Sequence, residues 1–213
     1  LTLSPEQIRE NLLAVTEDSG IDEETACLDD AADFCVEMET GTGKTLVYLK
    51  TVYELYRQYS FTKFIILVPS VAIKEGVLST FEGFERQLAD VYGFTPACFE
   101  YDSKRLNRVT TFVEEQHPQI MVMTLQSFNA EDRILNQAKR EDLFFNMPFI
   151  EAIARTRPVI IMDEPQEGMD TDNSTVRIDA LKPLCKLRYS ATHKVMRNLV
   201  YRLTPFDSYQ QGL

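Results

Sequence analysis

The chain contains no tryptophan and only two histidines among its 213 residues. His117 and His193 are too few and too far apart in the sequence to predict a metal cluster. The four cysteines, at positions 27, 35, 98 and 185, show no C-x-x-C spacing, so neither a zinc site nor a disulfide framework is predicted. Reduced cysteines are typical of proteins inside the cell, and we expect a cytoplasmic location.

The sequence also lacks long hydrophobic runs and an excess of positive charge. No run is long enough to cross a membrane and no signal peptide is visible, so a membrane protein is not expected. The chain has 22 basic and 33 acidic residues, which gives a formal net charge of −11. This charge argues against nucleic-acid binding through a global positive field, but it does not exclude local phosphate contacts. Much of the acidity lies in residues 17–33, which we predict to be a solvated surface segment.

Apolar runs alternate with helical patterns along the rest of the chain. This alternation predicts an α/β domain with a mostly parallel central sheet flanked by helices. A serine and a proline at positions 4 and 5 predict a helix start there. Residues 71–91 and 108–116 are also predicted to be helical, the first with a break near Gly83, and residues 131–149 are predicted to be an irregular surface segment. Six strands are predicted, at residues 34–38, 63–68, 97–101, 119–124, 158–162 and 185–189.

A glycine-rich run follows the first predicted strand and opens a helix. Its residues are Met38-Glu39-Thr40-Gly41-Thr42-Gly43-Lys44-Thr45. Glycines let successive N–H groups turn toward a phosphate chain, and the helix N-terminus adds positive charge. Met38 replaces the first glycine of the usual P-loop, and a bare strand-to-helix turn is the alternative interpretation. We predict a nucleoside triphosphate site formed by Thr40, Gly41, Thr42, Gly43, Lys44 and Thr45, with Lys44 on the β- and γ-phosphates and Thr45 on Mg²⁺.

Two adjacent carboxylates, Asp163 and Glu164, end the strand predicted at residues 158–162. A solvated turn would also explain them. Combined with the glycine-rich run, however, they predict the second half of a nucleoside triphosphatase site. Asp163 would hold Mg²⁺, and Glu164 would orient and deprotonate the attacking water. We expect the glycine loop and this acidic pair to occupy neighbouring strand ends, with Lys44 close to Asp163.

Ser190-Ala191-Thr192 follows the strand predicted at residues 185–189. Two hydroxyl groups that cap a strand end are common and need no functional explanation. The functional alternative is a hydrogen-bonded latch that senses the γ-phosphate through Asp163 and Glu164.

In this order, the three motifs resemble the first RecA-like domain of superfamily-two helicases and translocases. More narrowly, Met-Glu-Thr-Gly-Thr-Gly-Lys-Thr, Asp-Glu-Pro-Gln and Ser-Ala-Thr-His resemble the restriction (Res) subunit of type III restriction-modification enzymes, in which Met38 is expected. The resemblance divides the chain into an N-terminal helix and acidic segment, residues 1–33, and a RecA-like ATPase domain, residues 34–213. It also implies that a second RecA-like motor domain and a nuclease domain lie outside this chain.

The resemblance implies the ATP-binding and ATP-hydrolysing half of a DNA translocase that drives cleavage away from the recognition site. ATP and Mg²⁺ would be the cofactors, and double-stranded DNA, a modification methyltransferase (Mod) subunit and the second RecA-like domain the partners. Ser190 and Thr192 would couple hydrolysis to domain movement. DNA backbone contacts would come from Ser70, Thr124, Gln126 and Ser127, although Ser70 is equally a plain helix N-cap and Gln126 a plain loop residue.

Three alternatives stay open beside this interpretation. Another superfamily-two DNA or RNA helicase would carry the same motifs. A nucleotide-gated DNA-binding module would bind ATP and hardly hydrolyse it, because no candidate for the second RecA-like domain, whose arginines would complete the ATP site, follows Thr192. A nucleotide or small-molecule kinase is less favoured, since the Ser-Ala-Thr motif and the DNA-contact segments do not fit one. Gln7 is a candidate for the upstream glutamine that reads adenine in many relatives of this superfamily.

Overall fold

Helices and strands alternate along the part of the chain that the computed structural model describes, residues 4–29, 31–128 and 147–211. A short helical stretch, residues 125–128, adjoins the gap. In chain order the elements are α1 (Pro5–Asp18), α2 (Glu23–Ala26), β1 (Asp33–Met38), α3 (Lys44–Tyr59), β2 (Lys63–Val68), α4 (Val71–Tyr92), β3 (Ala97–Glu100), α5 (Leu106–Glu114), β4 (Gln119–Thr124), α6 (Phe149–Arg155), β5 (Val159–Asp163), α7 (Asp172–Ala180), β6 (Cys185–Ser190), β7 (Leu199–Leu203) and α8 (Pro205–Gln211).

The seven strands form one sheet in the order β3-β4-β2-β5-β6-β1-β7. Every strand pair is parallel, so the predicted α/β architecture is confirmed, and all six predicted strands are present. The seventh strand, β7, was not predicted. It lies at the sheet edge, where its half-exposed residues give no continuous apolar run, and it is paired with β1.

The core lies on both faces of the sheet. β2 and β4 are buried at every position, as expected for central strands that helices cover on both sides. One cluster contains Ile65, Phe112 and Met121, and the other contains Tyr48 and Phe64. The second cluster packs the buried face of α3 against the sheet, which fixes the helix that opens at the glycine-rich run.

One helix confirms its sequence prediction and another corrects it. α1 begins with a capping box in which Ser4 and Gln7 each bind the other's backbone, as expected for a helix start at this position. α4 is continuous through Gly83, so the predicted break is wrong. A glycine inside a helix costs about 1 kcal/mol, and the packing of Val77, Phe81 and Leu88 into the core maintains the helix.

The acidic segment at residues 17–33 is only partly the solvated surface that we predicted. Its first carboxylates are exposed, but Asp33 is 1% exposed. Asp33 accepts two hydrogen bonds from the Arg188 guanidinium, at 2.6 and 3.0 Å. Asn198 is fully buried and binds the carbonyl groups of Ala31 and Asp33. The prediction fails at Asp33 because its partner Arg188 lies more than 150 residues away in the sequence.

No helix in the described part of the chain is long and apolar enough to span a membrane. Of the irregular segment predicted at residues 131–149, residues 131–146 lie outside the described residues. Phe149 already belongs to α6.

Candidate active site

The three sequence motifs meet at the carboxyl edge of the sheet. The glycine loop follows β1, the acidic pair closes β5, and Ser190 ends β6. The carboxyl ends of parallel strands lie on one edge, where ligands bind in open α/β sheets. However, β6 separates β5 from β1, so our expectation of neighbouring strand ends for the glycine loop and the acidic pair is wrong. The site spans three adjacent strands, with Ser190 in the middle.

The glycine loop has a backbone that requires its glycines. Gly41 and Gly43 have φ angles of 83° and 85°, and a Cβ at either position would meet open space. The glycines therefore serve backbone conformation rather than close packing. Gly43 is the N-cap of α3 and makes no side-chain cap bond, so the first N–H groups of the helix are available to an anion. The Thr42 N–H and hydroxyl both bind the Glu39 carbonyl, which closes the turn.

Lys44 connects the glycine loop to the acidic pair. Its ammonium group forms an ion pair with Glu164 Oε1 and lies 3.7 Å from Asp163 Oδ1. Burial lowers the pKa of Lys44, and the nearby carboxylates, that of Asp163 first, oppose this shift. Glu39 and Glu167 add further negative charge around the ammonium group. The structure thus brings Lys44 together with Glu164, which lies 120 positions later in the sequence, and with its neighbour Asp163, in surroundings that are mostly acidic.

Asp163 is 3% exposed, and burial raises the pKa of its carboxyl group. Oδ2 accepts a hydrogen bond from the Tyr48 hydroxyl at 3.2 Å, whereas Oδ1 has no hydrogen-bond partner. A buried carboxylate oxygen without a partner is costly, and it is the kind of oxygen that a divalent cation binds. Tyr48 was not predicted as a site residue. Its position one turn after Lys44, on a helix with an apolar face, predicts a core residue equally well.

The residues present fit Mg²⁺. Thr45 offers a hydroxyl in the first turn of α3, and Asp163 offers an oxygen that accepts no hydrogen bond. Within the described ranges there is no cluster of three or more His, Cys, Asp or Glu side chains that could hold a metal alone. Mg²⁺ is usually bound through one or two protein oxygens together with substrate phosphates, so a small ligand set is sufficient.

Glu164 is held in place by its backbone and by three side chains. Its φ angle is 51°, a left-handed conformation that costs a non-glycine residue about 1–3 kcal/mol and is found at functional sites. Its N–H donates to the Tyr189 carbonyl at 2.9 Å. Oε2 accepts hydrogen bonds from Ser190 Oγ and Gln166 Nε2, both at 2.7 Å, and Oε1 pairs with Lys44. Gln166 belongs to the Asp-Glu-Pro-Gln motif, but the sequence alone does not predict its bond to Glu164.

Ser190 extends this hydrogen-bond network to the following turn. Its hydroxyl is fully buried, accepts from the Thr192 N–H at 3.0 Å and lies 2.9 Å from the Thr192 carbonyl. Thr192 itself is exposed. The bonds between Ser190 and Thr192 are those of a capped strand end, and the bond to Glu164 is the one that a latch would need. The geometry is therefore compatible with both alternatives that the sequence left open. His193 binds the Val36 carbonyl through Nε2, and burial lowers its pKa.

The candidate DNA-contact residues lie on the same edge, beyond β5. Ser70 follows β2 and caps α4 by accepting from the Ile73 N–H at 3.3 Å. Thr124 ends the adjacent strand β4, and its hydroxyl bonds to both the N–H and the hydroxyl of Ser127. Gln126 is exposed. The structure therefore places these residues together but apart from Lys44, with their hydroxyl groups in local caps.

Gln7 is not near the glycine loop. Its side chain is in the capping box of α1. The next residue, Ile8, lines an apolar hollow with Phe34 and Cys185, which lie at the amino ends of β1 and β6. Gln7 therefore lies toward the edge of the sheet opposite the candidate site.

Comparison with known families identifies the family of this chain. A model of the family described as "Type III restriction enzyme, res subunit" matches residues 5–195. The chain belongs to this family. It is 29% identical over 233 residues to the EcoPI Res subunit of Escherichia phage P1, covering all of this chain and 24% of the relative. It is 29% identical over 197 residues to the EcoP15I Res subunit of Escherichia coli, covering 84% of this chain and 20% of the relative. The chain thus spans about a quarter of the length of these type III Res subunits.

Solved structures share the fold. A nuclease-deletion mutant of the Type ISP restriction-modification enzyme LlaGI, in complex with a DNA substrate mimic, aligns with a TM-score of 0.53 at 16% identity, over all of this chain and 20% of that chain. The DUF1998 helicase MrfA bound to DNA and AMPPNP aligns with a TM-score of 0.51 at 17% identity, over 91% of this chain and 27% of that chain. At these identities the likeness shows the fold alone, which is the RecA-like fold that the sequence predicted.

Proposed function

We propose that this type III Res chain is the ATP-binding and ATP-hydrolysing half of a DNA translocase or helicase-like motor. The observation that carries the proposal is the position of Lys44, which opens α3 at the glycine loop and contacts both Asp163 and Glu164. A cation between a phosphate-binding loop and two carboxylates is what hydrolysis of a nucleoside triphosphate requires. Membership in the Res family agrees with this chemistry.

The proposed binding step replaces carboxylates by phosphates around Lys44. The loop from Thr40 to Gly43 and the first N–H groups of α3 face the phosphates, and the Lys44 ammonium moves from Glu164 to the β- and γ-phosphates. Because Glu39, Asp163, Glu164 and Glu167 surround this single lysine, a free triphosphate would meet net repulsion. We therefore expect ATP to bind together with Mg²⁺, with Asp163 Oδ1 and the Thr45 hydroxyl facing the cation.

The proposed chemical step is in-line attack of water on the γ-phosphate. Glu164 accepts the proton of this water, and its carboxylate is oriented by Ser190 and Gln166. When Mg²⁺ is bound, the chemistry it supplies is neutralisation of charge on the phosphate oxygens. Once Lys44 has turned to the phosphates, Glu164 Oε1 is free to face the water.

The remaining proposed roles involve partners of this chain. We propose that Ser190 and Thr192 pass the nucleotide state to a second RecA-like domain, and that Ser70, Thr124, Gln126 and Ser127 contact the backbone of double-stranded DNA. A Mod subunit would supply sequence recognition, and ATP-driven movement would lead to cleavage away from that sequence. The shared carboxyl edge of β2, β4, β5 and β6 supports a mechanical connection between DNA contact and hydrolysis.

The test uses the complete protein with its Mod partner and cognate DNA. Lys44→Ala is expected to abolish ATP binding, whereas Glu164→Gln is expected to retain binding and to lower turnover by about 10²–10⁴-fold. Lys50→Ala is the matched control, because Lys50 is an exposed lysine on the same helix. DNA-stimulated ATPase activity and nucleotide affinity are measured separately. Turnover close to wild type in both Lys44→Ala and Glu164→Gln would overturn the proposal.

A nucleotide-gated DNA-binding module is the second candidate. Among the described residues, Lys44 is the only cation in an ion pair with Asp163 or Glu164. An arginine that stabilises the transition state is worth about 10³–10⁵ in turnover, so a site without one would bind ATP and hydrolyse it very slowly. Tight ATP binding with negligible turnover in the complete, DNA-bound protein favours this module. Rapid turnover favours the motor, and strand separation would indicate a helicase of the same superfamily.

A further inference from the structure

Tyr48 places a hydroxyl group beside Asp163, one of the residues of the proposed metal site. The residue is on α3, one turn after Lys44, and is fully buried. Its hydroxyl donates to Asp163 Oδ2 at 3.2 Å, and Thr45 precedes it by three residues on the same helix, so the two side chains are neighbours on one face of α3. Tyr48 therefore bonds to one of the two residues that the proposed function assigns to Mg²⁺ and is a helix neighbour of the other.

The Tyr48 ring is held rigidly by the sheet. It packs edge-on against the ring of Tyr189, with centroids 5.4 Å apart and an interplanar angle of 63°. The Tyr189 hydroxyl lies 3.2 Å from Thr51 Oγ1, so a second bond between β6 and α3 fixes the arrangement. A hydroxyl on a rotationally restricted ring can fix the orientation of the carboxylate that it binds.

The two oxygens of Asp163 differ because of this contact. Oδ2 is occupied by the Tyr48 hydroxyl, while Oδ1 has no hydrogen-bond partner and lies on the side of Lys44. Without the hydroxyl, the carboxylate could rotate about its χ2 angle or present both oxygens to a cation. With the hydroxyl bound to Oδ2, the carboxylate cannot rotate freely, and only Oδ1 is available to a cation.

We propose that Tyr48 is a positioning residue that orients Asp163, so that a single carboxylate oxygen faces the divalent cation of the bound nucleotide. This inference rests on the proposed function, because it requires a metal–nucleotide complex at the glycine loop. It goes beyond that function by assigning the metal geometry to a tyrosine on the helix that also carries Lys44 and Thr45.

The chain provides a matched pair of variants. Tyr48→Phe removes the hydroxyl and keeps the ring. Tyr53→Phe makes the same change at another fully buried tyrosine on α3, whose hydroxyl has no hydrogen-bond partner. A purely structural role of buried tyrosines in α3 would affect both variants, whereas a positioning role affects the first alone.

The experiment measures metal binding directly in the complete protein. Mn²⁺ is titrated in the presence of a non-hydrolysable ATP analogue, and binding is followed by electron paramagnetic resonance. The Mg²⁺ dependence of ATP turnover is measured in parallel. Tyr48→Phe is expected to raise the Mn²⁺ midpoint by about tenfold, as removal of a group that orients a metal ligand commonly does. The change in metal midpoint is expected to exceed the change in maximal turnover, and Tyr53→Phe is expected to match wild type.

Each outcome decides the inference. A midpoint for Tyr48→Phe within about twofold of wild type overturns it, as does an equal shift in Tyr53→Phe. If Tyr48→Phe does not fold, as judged by thermal unfolding, Thr51→Val decides, because it removes the partner of the Tyr189 hydroxyl and leaves Tyr48 intact. A raised midpoint in Thr51→Val supports the inference and an unchanged one overturns it. Wild-type protein that shows no metal-dependent nucleotide binding refutes the proposed function itself, which is a distinguishable result.

Discussion

The hydroxyl group of Ser190 lies 2.7 Å from Oε2 of Glu164 and belongs to the strand next to the one that precedes Glu164. The same hydroxyl accepts a hydrogen bond from the Thr192 N–H. One buried oxygen therefore connects the proposed catalytic carboxylate to an exposed turn. Movement of either end requires this hydrogen-bond arrangement to change.

Ser190→Ala is expected to lower DNA-stimulated ATP turnover about tenfold, which corresponds to about 1.4 kcal/mol in the barrier. Nucleotide affinity is expected to stay within about twofold of wild type, since Glu164 loses an orienting bond while the glycine loop is unchanged. Thr192→Val is the comparison, because Thr192 contacts Ser190 through its backbone. Equal effects of the two variants on turnover would contradict the role of the Ser190 hydroxyl.

Gly43→Ala is expected to destabilise the domain by about 1–2 kcal/mol, because alanine at a φ of 85° is in the left-handed region. It should also weaken ATP binding, since relief of the strain changes the start of α3. Gly83→Ala is the control. Gly83 is exposed inside α4 with open space around it, so alanine there is expected to stabilise by about 0.5–1 kcal/mol. Urea unfolding of both variants, together with ATP titration, checks the opposite signs.

Arg188→Met is expected to destabilise the domain by about 3–5 kcal/mol. The Arg188 side chain is 4% exposed and bonds to both Asp33 and Asp170, so its loss leaves the buried carboxylate of Asp33 and the partly buried one of Asp170 without this partner. Arg57→Met removes an arginine of which 55% is exposed, and its stability is expected to stay within about 0.5 kcal/mol of wild type. Denaturant unfolding at neutral pH compares the two. A small loss in Arg188→Met would show that the network is not stabilising.

Lys63→Met is expected to change the dependence of stability on pH. Burial lowers the pKa of Lys63 from 10.5 to about 8. Between these two values the unfolded chain holds a proton that the folded chain has released, so the wild-type free energy of unfolding gains a contribution that rises with pH. At about pH 7 the folded state bears the full cost of the buried ammonium group.

The stability of Lys63→Met relative to wild type is therefore expected to be higher at about pH 7 than at about pH 10, by on the order of 1 kcal/mol. Lys104→Met, at an exposed position, provides the control and should show no such trend. Unfolding curves of the three proteins at both pH values test the sign. A relative stability of Lys63→Met that increases with pH would contradict the effect of burial.

Much of the site could be predicted because its signals are local. A strand that is buried on both faces is a continuous apolar run, as in β2 and β4, and polar residues at its end are visible at once. The glycine loop, Asp163, Glu164 and Ser190 were found in this way. Their joint position followed from the rule that parallel strands share a carboxyl edge.

Other features could not be predicted because their causes are distant in the sequence. In the sequence Asp33 ends an acidic run that predicts a solvated surface, and only the fold places Arg188 beside it. Tyr48 has the spacing of a core residue, and only its proximity to Asp163 gives its hydroxyl a partner. The strand β7 lacks a continuous apolar run because it lies at the sheet edge.

The sequence by itself determined the class of fold, the position of the glycine-rich loop and the identity of the acidic pair, because backbone periodicity and glycine conformation act over a few residues. The tertiary structure alone decided the strand order, the insertion of β6 between the two halves of the site and the partners of each buried charge. Burial is the physical reason, since it strengthens interactions between charged groups that only folding brings into contact.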